Sequence, residues 1–229
     1  MVRIEYHPSL FTWLADSAYN IYSQFGEDGL IDQIFRLIGE QNRWCVEIGA
    51  ADGMFFSNTR RLIEKQWESL QIEADDDCFA RLQERYKNNS KVRCYHRRVN
   101  LVTGPTLEDV MYNAGVPEDL DLLVIDVDGA DYHLFNSLWK FHPRVVIVEY
   151  NPNPAHPEQI PSLGEANVET QAGFLPLQQV ANARGYVPIG RTETNLICVR
   201  ADLASHLIDP AIIAEAAKQQ AGEAAYAAS

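Results

Sequence analysis

The chain has only four cysteines in 229 residues, and none of them falls in a C-x-x-C pair. Scattered at Cys45, Cys78, Cys94 and Cys198, they offer neither zinc-type spacing nor a disulfide framework. We expect free thiols, with Cys45 and Cys198 buried in strand-like apolar runs. Positive charge is also scarce: 19 Lys and Arg face 32 Asp and Glu, and the resulting net charge of −13 repels phosphate backbones and anionic lipid surfaces. Nucleic acid is therefore not expected as a partner. No apolar run approaches the roughly 18 residues of a bilayer span, and the N-terminal stretch has no basic segment leading into an apolar one. The expectation is a cytoplasmic protein without membrane partners.

What is present is an ordinary globular composition, 46% hydrophobic and 22% charged, which excludes disorder throughout. The length suits one α/β domain over residues 1–200, opened by a helical segment (1–40) and followed by a helical, Ala-rich tail (201–229). Leu30, Ile31, Ile34, Phe35 and Ile38 share one helical face, closed by Gly39. Strand-like runs follow at 44–49, 69–74, 92–99, 121–127 and 144–150. The last two are the most continuous, as in central strands of a two-sided parallel sheet. Between them the spacing predicts helices near 57–67, 79–86, 107–111 and 130–140. Residues 151–173, rich in Pro, Asn and Gly, have no period and predict a lid loop. A helix over 174–184 and a final strand pair complete an alternation that predicts a doubly wound sheet with helices on both faces.

In such a sheet the first strand-to-helix turn carries the ligand contact. Here it reads Glu47-Ile48-Gly49-Ala50-Ala51-Asp52-Gly53. A dinucleotide G-x-G-x-x-G fails at two of three positions, whereas E/D-x-G-x-G-x-G fails only at Ala51. The charges agree, because pyrophosphate needs a helix N-terminus without anions beside it, and Asp52 and Asp75-Asp76-Asp77 crowd this one. A sulfonium cofactor carries no phosphate. Glu73, at the end of the second strand, has the chemistry to accept hydrogen bonds from two ribose hydroxyls.

Together, SQFGEDGLIDQIF (23–35), VEIGAADGMFFSNTRRL (46–62), LQIEAD (70–75) and DLLVIDVDGADYHLF (121–135) resemble FkbM-type methyltransferases over residues 20–200. The resemblance implies a mostly parallel, seven-stranded, Rossmann-like class I fold binding S-adenosylmethionine. It puts Glu47, Gly49 and Ala51 beside the amino acid end of the cofactor and Ser57 and Asn58 near its carboxylate. Glu73 is implied at the ribose, Ala74 and Val99 beside the adenine, Asp126 near the reactive methyl, and Gln24 closing over the amino acid moiety.

The ends of the two central strands, IDVDGADYH (125–133) and VEYNPN (148–153), gather Asp126, Asp128, Asp131 and Glu149, with Asn151 adding a carbonyl. Such hard oxygen donors suit Mg²⁺ or Ca²⁺, and the layout is similar to metal-dependent catechol-type O-methyltransferases. Asp126, Glu149 and Asn151 are thus candidate metal ligands, although Glu149-Tyr150-Asn151 stands where that pattern has Asp-Asn. The competing expectation is that Asp126 contacts cofactor, Asp128 and Asp131 cap the next helix, and no metal binds. An alcohol acceptor must lose its proton, for which His133, Glu149 and Asp128 are candidate bases beside Asp126, with His156 at the root of the loop.

The expected function is O-methylation of a small-molecule hydroxyl, of a sugar or a polyketide-type product. One alternative keeps the cofactor and changes the chemistry to aminocarboxypropyl transfer, cyclisation or cleavage of the sulfonium. A nucleotide-dependent oxidoreductase or epimerase needs an intact glycine fingerprint and a Tyr-x-x-x-Lys pair, both absent. The remaining alternative is a non-catalytic binding module. Oligomeric state is left open, a homodimer being one option.

Overall fold

A computed structural model describes residues 12–99, 104–162 and 170–207. Its strands are β1 (Trp44–Ile48), β2 (Glu68–Glu73), β3 (Val92–His96), β4 (Leu122–Ile125), β5 (Val145–Glu149), β6 (Tyr186–Arg191) and β7 (Asn195–Arg200). They form one sheet in the order β3-β2-β1-β4-β5-β7-β6. The pairs among β1 to β5 are parallel, and β7 runs antiparallel to both its neighbours. The seven-stranded, mostly parallel, doubly wound sheet is the expected fold.

Strand alternation sorts side chains into two cores. Val46, Ile48, Leu123, Ile125, Val146 and Val148 point to one face and pack with helices α5 (Leu107–Asn113), α6 (Asp131–Asn136) and α7 (Phe174–Ala183). Cys45, Leu122, Val124, Val145 and Ile147 point to the other, beneath α1 (Thr12–Ala15), α2 (Glu27–Ile38), α3 (Arg60–Glu64) and α4 (Asp76–Tyr86). Cys45 and Cys198 are buried as expected, all four cysteines are free, and burial pushes the Cys45 thiol up to about 12.

At the N-terminal edge of the sheet Asp121 and Arg144 form a buried ion pair at 2.6 Å. Asp121 also accepts the backbone N–H groups of Gln41, Asn42 and Arg43, while Arg144 donates to the carbonyls of Ile38 and Gly39 where α2 ends. The pair ties the α2–β1 turn to β4 and β5, leaving the opposite edge free for the site.

Several elements are shorter than their periodicity predicts, each for a local reason. The helix expected near Ser57 starts at Arg60, because Ser57, Asn58 and Thr59 all bond to Glu47. The helix expected over 130–140 ends at Asn136. Beyond it the Glu108 carboxylate accepts the N–H groups of Trp139, Lys140 and Phe141 and turns the chain. Strand β3 stops at His96, and the chain leaves the sheet after the N–H of Arg97 donates to the carbonyl of Glu73 at 2.8 Å. Of the expected tail, the described part is a 3₁₀ turn over Ala201–His206; the rest lies outside the described residues.

Candidate active site

Strand order reverses at β1, with β2 on one side and β4 on the other, and a crevice opens at that point beyond the strands' carboxyl ends. It is a cavity of about 1100 Å³. The β1–α3 turn forms its floor. Gly49 has φ +82°, and a Cβ on it would lie 1.6 Å from the carbonyl oxygen of Asp126, so only glycine lets β1 and β4 approach here. Ala51, the residue off the expected pattern, also takes a left-handed conformation, at φ +47°.

Two buried glutamates fasten this turn. Glu47 accepts the hydroxyls of Ser57 (2.7 Å) and Thr59 (2.6 Å) and the N–H of Asn58 (2.7 Å). Burial raises its pKa, and these donors oppose that shift. Glu73 accepts the N–H groups of Ala51 (2.7 Å), Ala74 (2.6 Å) and Asp75 (2.7 Å). Both side chains therefore order the loops of the cavity in addition to lining it.

Of the expected site residues, Gln24, Glu47, Gly49, Ala51, Ser57, Glu73, Ala74, Val99, Asp126, Asp128, His133 and Glu149 all line this one cavity. Asn58 and Asn151 do not. Asn58 sits behind the wall with its N–H on Glu47, and the side-chain oxygen of Asn151 accepts the N–H of Asn153 at 2.9 Å. His156 is exposed and also outside the lining. Asp131 is buried at the start of α6, where it accepts the N–H groups of Val127 and Gly129, both at 2.9 Å. Burial pushes its carboxyl up to about 6 against the pull of those bonds.

Asp126 and Glu149, at the ends of β4 and β5, are hydrogen-bonded to each other. Burial, compounded by the neighbouring carboxylates, raises Asp126 well above the usual range and pushes Glu149 to about 7. Glu149 also accepts the amide N–H of Gln171, which is buried at the far end of the loop. Nothing in the sequence near Gln171 signals this contact, because it depends on how the 151–173 loop returns to the sheet. His133 lies 2.8 Å through Nε2 from the carbonyl of Pro161. A carbonyl only accepts, so Nε2 carries a proton.

These residues do not make a metal centre. Asp126 and Glu149 are paired with each other and Asn151 is turned away. Among the described residues no group of three or more His, Cys, Asp or Glu side chains converges as a ligand set. The donor set does fit a cationic, phosphate-free ligand. Glu47, Glu73, Asp75, Asp76, Asp126, Asp128 and Glu149 line the cavity against only two guanidinium groups, Arg97 and Arg98. Phe55 and Phe56 at the mouth, and Arg97 and Arg98 beyond β3, are lining residues that sequence patterns did not single out.

No family model matches the chain, and a comparison with curated proteins finds no match. Solved structures do resemble it. A Staphylococcus aureus protein provisionally designated a caffeoyl-CoA O-methyltransferase superposes with a TM-score of 0.50 at 15% identity, over 81% of this chain and 87% of that one. The N-terminal domain of EvdMO1, solved with SAH bound, gives 0.48 at 11% identity over 76% and 80%. The METTL16 MTase domain gives 0.47 at 15% identity over 76% of this chain and 66% of that one, so this chain spans just under two thirds of that domain. The strand order and the likeness to the Staphylococcus aureus structure show the seven-stranded, Rossmann-like fold of class I methyltransferases. Among the described residues no helix is long and apolar enough to cross a membrane.

Proposed function

We propose that this chain is an S-adenosylmethionine-dependent methyltransferase acting on a hydroxyl group of a small-molecule acceptor. The observation that carries this reading is the cavity at the strand-order switch, acidic around the β1 turn and holding a proton-sharing carboxyl pair at the ends of β4 and β5. The FkbM-type resemblance of the same segments supports it.

When bound, S-adenosylmethionine supplies an electrophilic methyl group on a positively charged sulfur. Glu47, Gly49, Ala51 and Ser57 would border its amino acid end, with Gln24 above it. Ala74 and Val99 would flank the adenine. A carboxylate has about four acceptor positions, and backbone N–H groups occupy three on Glu73. Glu73 would therefore hold the ribose through one hydroxyl, not two.

For the acceptor, Glu149 is the base this geometry favours. Gln171 donates to it and Asp126 shares a proton with it, so both neighbours favour its ionised form. In its neutral form His133 offers Nδ1 as a second proton acceptor, and the negative charge of Asp128 at the mouth disfavours anionic acceptors. The net charge of −13 suits a small-molecule acceptor better than a nucleic acid. No step needs a metal, since the residues present do not form its ligand set.

The test is calorimetric titration with S-adenosylmethionine and, separately, NAD, followed by mass spectrometry of the incubated cofactor. Saturable binding of the first alone, with the cofactor intact, is the expected result. Its conversion without any acceptor would mean a sulfonium reaction other than methylation, and binding of neither would leave a non-catalytic module.

A further inference from the structure

Phe55 and Phe56 line the mouth of the acidic cavity and are among the most exposed large apolar side chains described, at 69% and 61%. Their exposure does not come from a loose loop. On one side Asp52 accepts the N–H groups of Met54 (3.0 Å) and Phe55 (3.2 Å) and pairs with Arg85 at 3.0 Å, and Tyr86 donates to the carbonyl of Gly53 at 2.9 Å. On the other, Ser57 and Asn58 are held by Glu47. Between these anchors Phe56 takes φ +61°, a strained conformation that is an outlier for a bulky side chain. A loop fastened at both ends and strained in the middle displays two rings to solvent at the rim of a cavity.

Resting on the methyltransferase reading above, we infer that Phe55 and Phe56 are the acceptor platform and that the acceptor is a neutral alcohol or phenol with a planar aromatic body. Neither ring offers a hydrogen bond, so the pair presents apolar surface and ring faces, for which a planar aromatic body is the best-matched partner. Asp128, exposed at the mouth of the same cavity, and the ionised form of Glu149 repel a carboxylate or phosphate on the acceptor. The aromatic body stays at the rim on the two rings while its hydroxyl reaches inward to Glu149.

The probe is 2-naphthol, titrated calorimetrically into protein saturated with S-adenosylhomocysteine, with 2-naphthoate and glucose as comparators. We expect saturable binding of 2-naphthol, at least tenfold weaker binding of 2-naphthoate, and none of glucose. Phe55→Ser and Phe56→Ser should each weaken 2-naphthol at least fivefold while S-adenosylhomocysteine affinity stays within twofold, and Phe55→Tyr should retain binding. Tighter binding of glucose or 2-naphthoate, or unchanged 2-naphthol affinity in both serine variants, would overturn the inference. So would a serine variant that loses cofactor affinity instead, since the rings would then cover the cofactor. Failure of the unaltered protein to bind S-adenosylhomocysteine would strike the methyltransferase reading itself, a separate and earlier result.

Discussion

The carboxylate of Glu73 accepts the backbone N–H of Ala51 at 2.7 Å, joining the end of β2 to the turn after β1. Ala51 occupies the position where the fingerprint would have glycine, and it adopts the left-handed conformation that glycine makes easy. The bond from Glu73 helps hold it there.

Ala51→Gly should therefore be tolerated. Relief of the left-handed conformation, about 1–2 kcal/mol, outweighs or matches the roughly 0.4–1 kcal/mol of added freedom in the unfolded chain. Chemical denaturation should show unchanged or raised stability. Gly49→Ala should behave in the opposite way, because its Cβ would meet the backbone of Asp126 at 1.6 Å. Loss of cofactor binding together with a lower midpoint is the expected outcome.

Glu73→Ala removes the acceptor of three backbone N–H groups as well as the proposed ribose contact. We expect at least a tenfold loss of S-adenosylmethionine affinity, about 1.4 kcal/mol, accompanied by a drop in melting temperature. Unchanged affinity would remove Glu73 from the cofactor site.

Glu149 ionises near 7, so a reaction that needs its carboxylate should accelerate as pH rises through that value. Stability should move the other way. A carboxyl whose folded pKa is raised contributes stability below its unfolded pKa of 4.5 and loses it as pH climbs to about 7. Glu149→Gln should lower kcat at least a hundredfold and abolish this limb of the pH–rate profile. Its melting temperature should exceed that of the unaltered protein at pH 8 and match it near pH 4.

Asp121→Ala should cost about 3–5 kcal/mol, because it strands the buried Arg144 guanidinium and frees three N–H groups of the 41–43 turn. Urea denaturation would measure this. A loss below about 1 kcal/mol would mean that water reaches the pair.

Local signals in the chain carried the layered fold. The apolar runs at 122–125 and 145–149, the 3.6-residue spacing of Leu30, Ile31, Ile34 and Phe35, and the acid-glycine turn at 47–53 act over a few residues and survive whatever packs on them. Glu47, Gly49, Glu73 and Asp126 were legible for the same reason, since strand ends in this topology converge. Helix lengths were not. Glu47 delays α3, and Glu108, reaching across from α5, truncates α6.

What the sequence by itself determined is the alternation of strands and helices, the acidic character of the site and the residue types at the strand ends. Only the tertiary structure decided how those residues are used. It spent Ser57 and Asn58 on Glu47, turned Asn151 away from the carboxyl pair, brought Gln171 to Glu149 and set Phe55 and Phe56 at the mouth. The reason is physical: periodicity records which face a residue turns to the core, whereas the partner of a buried carboxylate is whichever donor the folded chain carries within about 3 Å, however distant in sequence.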